Sequence, residues 1–420
     1  MRAILGLVYR SLMNRRGTAL LTVLSIAMSV VLLLGVEKVR RDARSSFANT
    51  ISDTDLIVGA RSGSVQLLLY SVFRIGNATN NISWKSYQDL ASEPAIAWTI
   101  PISLGDSHRG FRVLGTNLDY FEHYRYRGGQ PLSFADGAPF ADLFDAVLGA
   151  DVAQTLGYTL GQPITIAHGT GNVSFAMHDD KPFKVSGILE KTGTPVDRTI
   201  HISLEGIEAI HIDWQSGARI PSLSRSAADT RTSDLTPKAI TAFLVGLNSK
   251  LRTFAVQRTI NEYKAEPLLA ILPGVALQEL WGLMGVAETA LFTISVSVVV
   301  AGLLGMLTVI LASLNERRRE MAILRSVGAK PSHIFGLLMV EAGVLAFLGT
   351  LLGVISLYVM LLVARPILDA KFGLYIAINI LQPHELSILG IIVAAGFLIG
   401  MVPAFRAYRY SLADGMTVRI

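Results

Sequence analysis

The chain has 420 residues, 51% of them hydrophobic, with no cysteine and a formal net charge of +5 at pH 7, and its mean hydropathy is +0.46. The missing cysteine excludes disulfides, thiol nucleophiles and cysteine-based metal sites. The basic residues gather at the ends of apolar runs, which assigns them to membrane interfaces and leaves no reason to invoke nucleic acid.

In chain order, residues 1–16 predict a short interfacial helix, since Leu5, Val8, Leu12 and Met13 recur at helical spacing beside Arg2, Arg10, Arg15 and Arg16. A plain basic lead-in to a span is the other reading of these residues, and both give the same topology. Residues 17–36, 289–315, 342–364 and 386–405 contain no Asp, Glu, Lys or Arg, and each run has 20 residues or more. At about 1.5 Å per residue each can cross a hydrocarbon core of about 30 Å. The first run follows arginines as a signal peptide would. Its length, and the Glu37-Lys-Val-Arg-Arg-Asp42 segment after it in place of a small-residue cleavage site, predict a retained signal anchor.

Residues 40–280 read as a polar α+β domain. Strands are predicted at 55–59, 111–115, 146–149, 163–167 and 183–189, where short apolar or alternating stretches end in Gly or polar residues. Helices are predicted at 84–91, 150–156 and 204–214. The segment 215–236, rich in Ser, Arg, Ala, Asp and Thr, predicts a surface loop with cargo contact left open; a strand at 239–248 and a helix at 251–263 follow. Thr192-Gly-Thr-Pro-Val-Asp197 predicts a structural Gly/Pro turn.

Between the second and third runs lies Leu314-Asn-Glu-Arg-Arg-Arg-Glu-Met-Ala-Ile-Leu-Arg-Ser-Val-Gly-Ala-Lys-Pro331. Residues 316–327 are strong helix formers. Met321, Leu324 and Val327 make an i, i+3, i+6 apolar seam, with Arg318, Arg319 and Arg325 largely elsewhere. Gly328 and Pro331 stop this helix and Ser332 is placed to cap the next. Such a helix can dock its seam into a partner groove; the other reading is a basic loop that only anchors two spans. The positive charge before the first span, in this link, and after the fourth span (Arg406, Arg409) falls on one side if there are four spans. Both termini and the link are then cytoplasmic. Lys38, Arg40, Arg41 and Arg44 run against that rule, but they open a long translocated domain, where it is weak.

The predicted division is therefore an interfacial helix at 1–16, spans at 17–39, 281–315, 333–364 and 386–405, an external domain at 40–280, a link helix at 316–332, a short external loop at 365–385 and a tail at 406–420. Glu341, about seven residues into the third hydrophobic region and just before its charge-free run, is expected to pair at the cytoplasmic interface near Lys330 and His333. Gly349-x-x-x-Gly353 and Gly396-x-x-x-Gly400 offer small faces for helix packing, within the chain or between protomers. No metal site is expected. His178-Asp-Asp180 and His211-Ile-Asp213 are isolated pairs among His168, His178, His201 and His211, without a converging third ligand. There is no G-x-x-x-x-G-K-[ST], H-E-x-x-H or G-x-S-x-G motif, so the chain is not read as an enzyme, and any ATP hydrolysis is expected from another polypeptide.

These features coincide in a known group. Asn315-Glu-Arg-Arg-Arg-Glu-Met-Ala-Ile-Leu-Arg-Ser-Val-Gly-Ala329 with Ile334 and Glu341, Pro403-Ala-Phe-Arg-Ala407, and Asn14-Arg-Arg-Gly17 resemble the FtsX-like, MacB-type family of ABC transporter permeases. That family includes the lipoprotein-release permeases and the macrolide-exporter subunit. Val147-Leu-Gly-Ala-Asp-Val-Ala153, Leu160-Gly-Gln162 and Phe183-Lys-Val-Ser-Gly-Ile-Leu189 resemble its periplasmic core domain.

The resemblance implies a four-span, homodimeric permease of the bacterial inner membrane with a periplasmic α+β domain between spans one and two. It implies two copies of a separate cytosolic ABC ATPase, which binds the ATP and Mg, with no cofactor in this chain. The coupling residues would be Glu316, Arg317, Arg318, Arg319, Glu320, Met321, Leu324, Arg325 and Gly328, with Arg15, Arg16, Glu341 and Arg406 at the membrane interface. The implied work is mechanotransmission: export or extraction of a lipid, lipoprotein, peptide or amphiphile, with membrane lipid and a periplasmic adaptor, lipoprotein or hydrolase as further partners. The sequence shows no fused ATPase domain, which favours the split layout of lipoprotein-release systems. An alternative within the family is a regulator that transmits ATPase motion to a periplasmic cell-wall hydrolase, and a third is a sensor that hands a peptide-antibiotic signal to a kinase. The cargo is not legible.

Overall fold

The computed structural model describes residues 2–48, 50–169, 180–215, 218–219, 225–316, 318–372 and 381–409. Its helices are α1 (Arg2–Asn14), α2 (Arg16–Ala48), α3 (Ser64–Ser71), α4 (Trp84–Ala91), α5 (Asp119–His123), α6 (Ala150–Leu156), α7 (Leu204–His211), α8 (Ala227–Thr230), α9 (Thr253–Asn261), α10 (Pro273–Glu316), α11 (Arg318–Ser326), α12 (Pro331–Phe372) and α13 (Pro383–Tyr408). The chain divides into two compact units, residues 1–42 with 285–367 and 376–420, and residues 43–284 with 368–375.

Four helices, α2, α10, α12 and α13, are long and apolar enough to cross a membrane, as expected of a multi-span membrane protein. Within this unit the small-residue faces are used inside the chain. A Cβ on Gly349 would meet Ile26 Cβ at 2.7 Å, and one on Gly353 would meet Ala27 O at 2.8 Å, so α12 seats closely on α2. A Cβ on Gly400 would lie 2.6 Å from Ala342 Cβ, and Gly396 faces Ala346, which joins α13 to α12. Exposed Leu20, Leu21, Leu24 and Met28 on α2, and Leu291, Phe292 and Ile294 on α10, are the apolar surface of a lipid-embedded bundle.

Two of the four basic residues that ran against the charge rule, Arg40 and Arg41, are neutralised where they stand. Arg40 donates to Glu37 Oε1 at 2.8 Å and lies 3.8 Å from Glu288. Arg41 donates to Glu385 Oε1 at 2.8 Å and to Gln382 Oε1 at 3.2 Å, and so ties α2 to the start of α13. Glu385 also closes a capping box with Gln382 at that start, and one carboxylate thereby serves both the helix end and the ion pair.

The second unit is built on a mixed sheet whose strands are β1 (Leu56–Ala60), β2 (Ile96–His108), β3 (Phe111–Thr116), β4 (Phe134–Gly137), β5 (Asp145–Leu148), β6 (Pro163–Ile164), β7 (Ala167–His168), β8 (Phe183–Leu189), β9 (Thr199–Ser203), β10 (Ala242–Leu247) and β11 (Leu268–Ile271). Their order is β11-β1-β10-β2-β3-β9-β5-β8-β4, with β7 on β2 and β6 on β8. Contacts β3–β9 and β5–β8 are parallel and the other pairs antiparallel. β1, a continuous apolar run, is buried at every position, as is β9 with its Thr, His and Ser, whereas β8 alternates with Phe183, Val185 and Leu189 buried. Ser83 and Ser203 cap α4 and α7 by accepting from the amides of Ser86 and Gly206.

Several expected elements take other shapes. The strand expected at 163–167 is two short strands, β6 and β7, on different neighbours. The helix expected to reach 214 ends at His211. Part of the loop expected at 215–236 is the turn α8, capped by Ser226; residues 216–217 and 220–224 of it lie outside the described residues. The Gly/Pro turn at 192–197 is a structural knot. The buried Asp197 carboxylate accepts from Thr192 N at 2.8 Å, Thr192 Oγ1 at 2.7 Å and Gly193 N at 2.6 Å.

Candidate functional site

The charged link folds as the helix α11 between α10 and α12, and its stop is a complete Schellman motif. Gly328 has φ +97°, the Gly328 N–H donates to Arg325 O at 3.0 Å, and the Ala329 N–H donates to Leu324 O at 3.0 Å. α12 then starts at Pro331, so its cap is Lys330 and not Ser332. His333 Nδ1 accepts from the Lys330 N–H at 3.3 Å, the role Glu or Gln takes in a capping box.

The expected seam divides between two environments. Met321 is buried with Leu314, Ile334, Leu338, Ala404 and Ala407, and thus joins α11 to the ends of α10, α12 and α13. Ala322 is buried beside it and Leu324 is half-buried. Val327 is 82% exposed and Ile323, which the seam left out, is 55% exposed. Glu320 and Gly328 are exposed and Arg325 is half-buried. Glu316, Arg318 and Arg319 lie on the described backbone of α10 and α11, and Arg317 lies outside the described residues. α11 is therefore held from beneath by Met321 and offers Ile323 and Val327 outward.

α1 flanks this helix. A cleft of about 290 Å³ opens between Leu7, Arg10, Ser11 and Asn14 of α1, Glu320, Met321, Ile323 and Leu324 of α11, and Ile334, Leu337 and Leu338 of α12. Ser11 donates to the buried Glu341 at 3.4 Å. Lys330 and His333 were the expected partners of Glu341, but eight residues of helix put even His333 about 12 Å away along α12. α1 supplies one partner of Glu341 through Ser11. Arg15 donates to Ser313 O at 3.3 Å at the end of α10, while Arg16 and Arg406 are exposed.

In the other unit, a cavity of about 230 Å³ is lined by Arg74, Arg112 and Arg198 together with Phe47, Phe73 and Phe111. Arg112 Nη1 donates to Asn77 Oδ1 at 2.9 Å and its Nη2 to Gly76 O at 3.0 Å, and Arg198 sits 5.2 Å over the Phe111 ring. Guanidinium groups beside phenyl rings can hold an anion by charge and an apolar group by contact.

Of the two histidine pairs weighed from sequence, only His211 with Asp213 falls on described residues. His178 and Asp179 lie outside the described residues. Asp213 turns from His211 to the buried Lys181, with Nζ–Oδ1 at 3.2 Å. His211 meets instead two residues far away in sequence: His168 Nδ1 and Asp106 Oδ1, at 3.2 and 3.4 Å from its Nε2. Burial pushes the Asp106 carboxyl up, but the two imidazoles outweigh it and hold the group at about 2. Burial lowers His211, and the facing Asp106 carboxylate outweighs that and raises it. Sequence spacing held no signal for this convergence, because it depends on which strand β7 pairs with.

Comparison with known proteins gives a consistent result. Residues 19–262 match the MacB-like periplasmic core domain and residues 292–412 match the FtsX-like permease C-terminal region. The lipoprotein-releasing system transmembrane protein LolC of Neisseria meningitidis serogroup B is 22% identical over 214 residues, 50% of this chain and 46% of its own length. The pyoverdine export ATP-binding/permease protein PvdT of Pseudomonas savastanoi pv. phaseolicola is 22% identical over 341 residues, 78% of this chain and 47% of its own. The chain thus spans about half the length of the curated relatives it matches. Among solved structures, the periplasmic region of MacB from Actinobacillus actinomycetemcomitans aligns at 11% identity and a TM-score of 0.34, covering 55% of this chain and 94% of that one.

Proposed function

This chain belongs to the FtsX-like, MacB-type family of ABC transporter permeases, and on that premise we propose that it is the transmembrane subunit of an ATP-driven export or extraction system. A separate cytosolic ABC ATPase, in two copies on a permease homodimer, binds ATP and Mg and supplies the stroke. The chain itself holds no ATPase motif. The cargo class is a lipid, lipoprotein, peptide or amphiphile, moved by mechanotransmission to the periplasmic domain, with a periplasmic adaptor or lipoprotein as a further partner. Both termini and α11 face the cytoplasm in this reading, and the domain at 40–280 faces the periplasm.

The observation that carries the proposal is the double attachment of α11. Met321 packs it onto the ends of α10, α12 and α13 and Ala322 is buried, while Ile323 and Val327 stay exposed. A force applied to the exposed side is therefore delivered to α10, α12 and α13 together, because packed helix ends do not deform independently. Glu316, Arg317, Arg318, Arg319, Glu320, Arg325 and Gly328 complete the docking element as charges and stop around that apolar contact. Arg15, Arg16, Glu341 and Arg406 hold the interface level of the bundle.

Gentle purification of the tagged native complex, with mass spectrometry of co-eluting proteins and lipids, tests the proposal. A stoichiometric ABC ATPase with an adaptor, lipoprotein or amphiphile is the expected result. A stably bound cell-wall hydrolase without cargo would replace transport by regulation, and a permease dimer that carries no ATPase would overturn the coupling role of α11. Reversing Arg318 and Arg319 to Glu should reduce ATPase stimulation and leave membrane insertion intact.

A further inference from the structure

We propose that Asp106, His168 and His211 in the periplasmic domain bind a zinc-class divalent cation. The site is assembled by the sheet. β7 pairs with β2 so that His168 lies directly opposite Asp106, and α7 brings its last residue, His211, onto the same spot. β2 gains an extra residue against β3 between Leu104 and Ser107, and Asp106 sits in that irregularity. A bulge there re-aims its side chain, a use bulges often serve beside functional sites.

The geometry matches one ion. The contacts are 3.2 Å from Asp106 Oδ1 to His168 Nδ1, 3.4 Å from Asp106 Oδ1 to His211 Nε2, and 3.2 Å from His168 Nδ1 to His211 Nε2. A tetrahedral ion with ligands at about 2.0–2.1 Å separates them by about 3.3–3.4 Å, whereas cis ligands of an octahedral ion at that radius lie about 2.8–3.0 Å apart. Two imidazoles and a carboxylate are the donor set of zinc. The second shell is present too: His211 Nδ1 lies 2.8 Å from Ile207 O, which can only accept, so Nδ1 carries the proton and Nε2 of the neutral ring presents a lone pair. Asp106 is 2% exposed, and its side chain is committed to this point.

Protons leave one edge of the triangle opposed. Both imidazole N–H groups can donate to the one carboxylate oxygen, but the two ring nitrogens then face each other as donors 3.2 Å apart. Whatever the protonation pattern, one edge sets donor against donor or acceptor against acceptor. A single cation between the three lone pairs satisfies all edges at once. Bound there, it fastens the two-residue strand β7 to β2 and to the end of α7, and keeps a fourth position for water or another ligand.

The full-length protein in detergent, stripped with a chelator, should bind one equivalent of Zn²⁺ in competition with a chromophoric indicator. His168→Ala and His211→Ala should each weaken binding by at least about 100-fold, more than loss of an outer-shell partner costs. Co²⁺ in the wild type should give the intense visible absorption of a tetrahedral site, and His168→Ala should remove it. The His168 side chain is 43% exposed, so that variant leaves the core intact even if His211→Ala does not fold. Absence of a saturable Zn²⁺ equivalent in the wild type, equal affinity in wild type and His168→Ala, or a weak octahedral cobalt spectrum would each overturn the site.

Discussion

Replacing Ile323 and Val327 together by Ala should weaken ATPase docking without harming the permease. Complete burial of an Ile or Val side chain contributes about 1.5–3 kcal/mol. Ile323 and Val327 are 55% and 82% exposed. Scaling about 2 kcal/mol by those fractions gives roughly 2.7 kcal/mol for the pair if docking covers both fully, a factor of about 100 in Kd. Truncation to Ala forfeits much of that, and Ile323→Asp with Val327→Asp should forfeit all of it and add the cost of desolvating two carboxylates. The assay is the affinity of the purified permease for the ATPase that co-purifies with it, read beside ATPase stimulation and the thermal midpoint of the permease. Met321→Asp is the contrast, because it places a carboxylate in the buried cluster and should lower the midpoint itself. A Kd for the Asp pair within about threefold of wild type, where roughly 100-fold is expected, would refute the docking assignment of this face.

Other outcomes follow from packing and charge. Gly400→Ala puts a methyl against Ala342 and should lower the thermal midpoint, by an overpacking cost of about 1–3 kcal/mol; adding Ala342→Gly should restore it, and failure of that rescue would remove the proposed α12–α13 contact. Asp197→Ala strips the acceptor from the Thr192 and Gly193 amides and should cost about 2–5 kcal/mol in chemical unfolding, with Asp197→Asn intermediate; an alanine variant as stable as wild type would show the knot to be unimportant. His201 is fully buried, and burial first and the nearby Arg74 second push it from 6.5 down to about 3. Its folded pKa lies below its unfolded one, so stability is whole above about pH 6.5 and falls as pH drops, by up to about 1.4 kcal/mol per unit, or about 2 kcal/mol by pH 5. Unfolding of wild type and His201→Phe across that window should show the acid-dependent loss in the wild type and a shallower slope in the variant; parallel slopes would assign the loss to other groups.

The sequence by itself determined whatever depends on neighbours along the chain. Uninterrupted apolar length marked the four membrane helices, because a span must satisfy its own backbone and needs no partner to be recognised. Helix formers bounded by Gly328 and Pro331 marked α11, since stop signals act within one turn. Alternation and Gly boundaries marked 183–189, and propensity marked 84–91 and 150–156. The strand Ile96–His108 escaped because Pro101 and Gly105 break its pattern, and only its place between β10 and β3 makes it a strand. Tertiary structure alone decided the rest. It turned Met321 inward and Val327 outward on one short helix, seated the glycine faces inside the chain, gave Glu341 to Ser11, and neutralised Arg40 and Arg41 on acids from other helices. It also gathered Asp106, His168 and His211, separated by 62 and 43 residues. Composition reports which groups a chain owns, whereas a site needs three of them within one ion's reach, and strand register and helix ends set that distance.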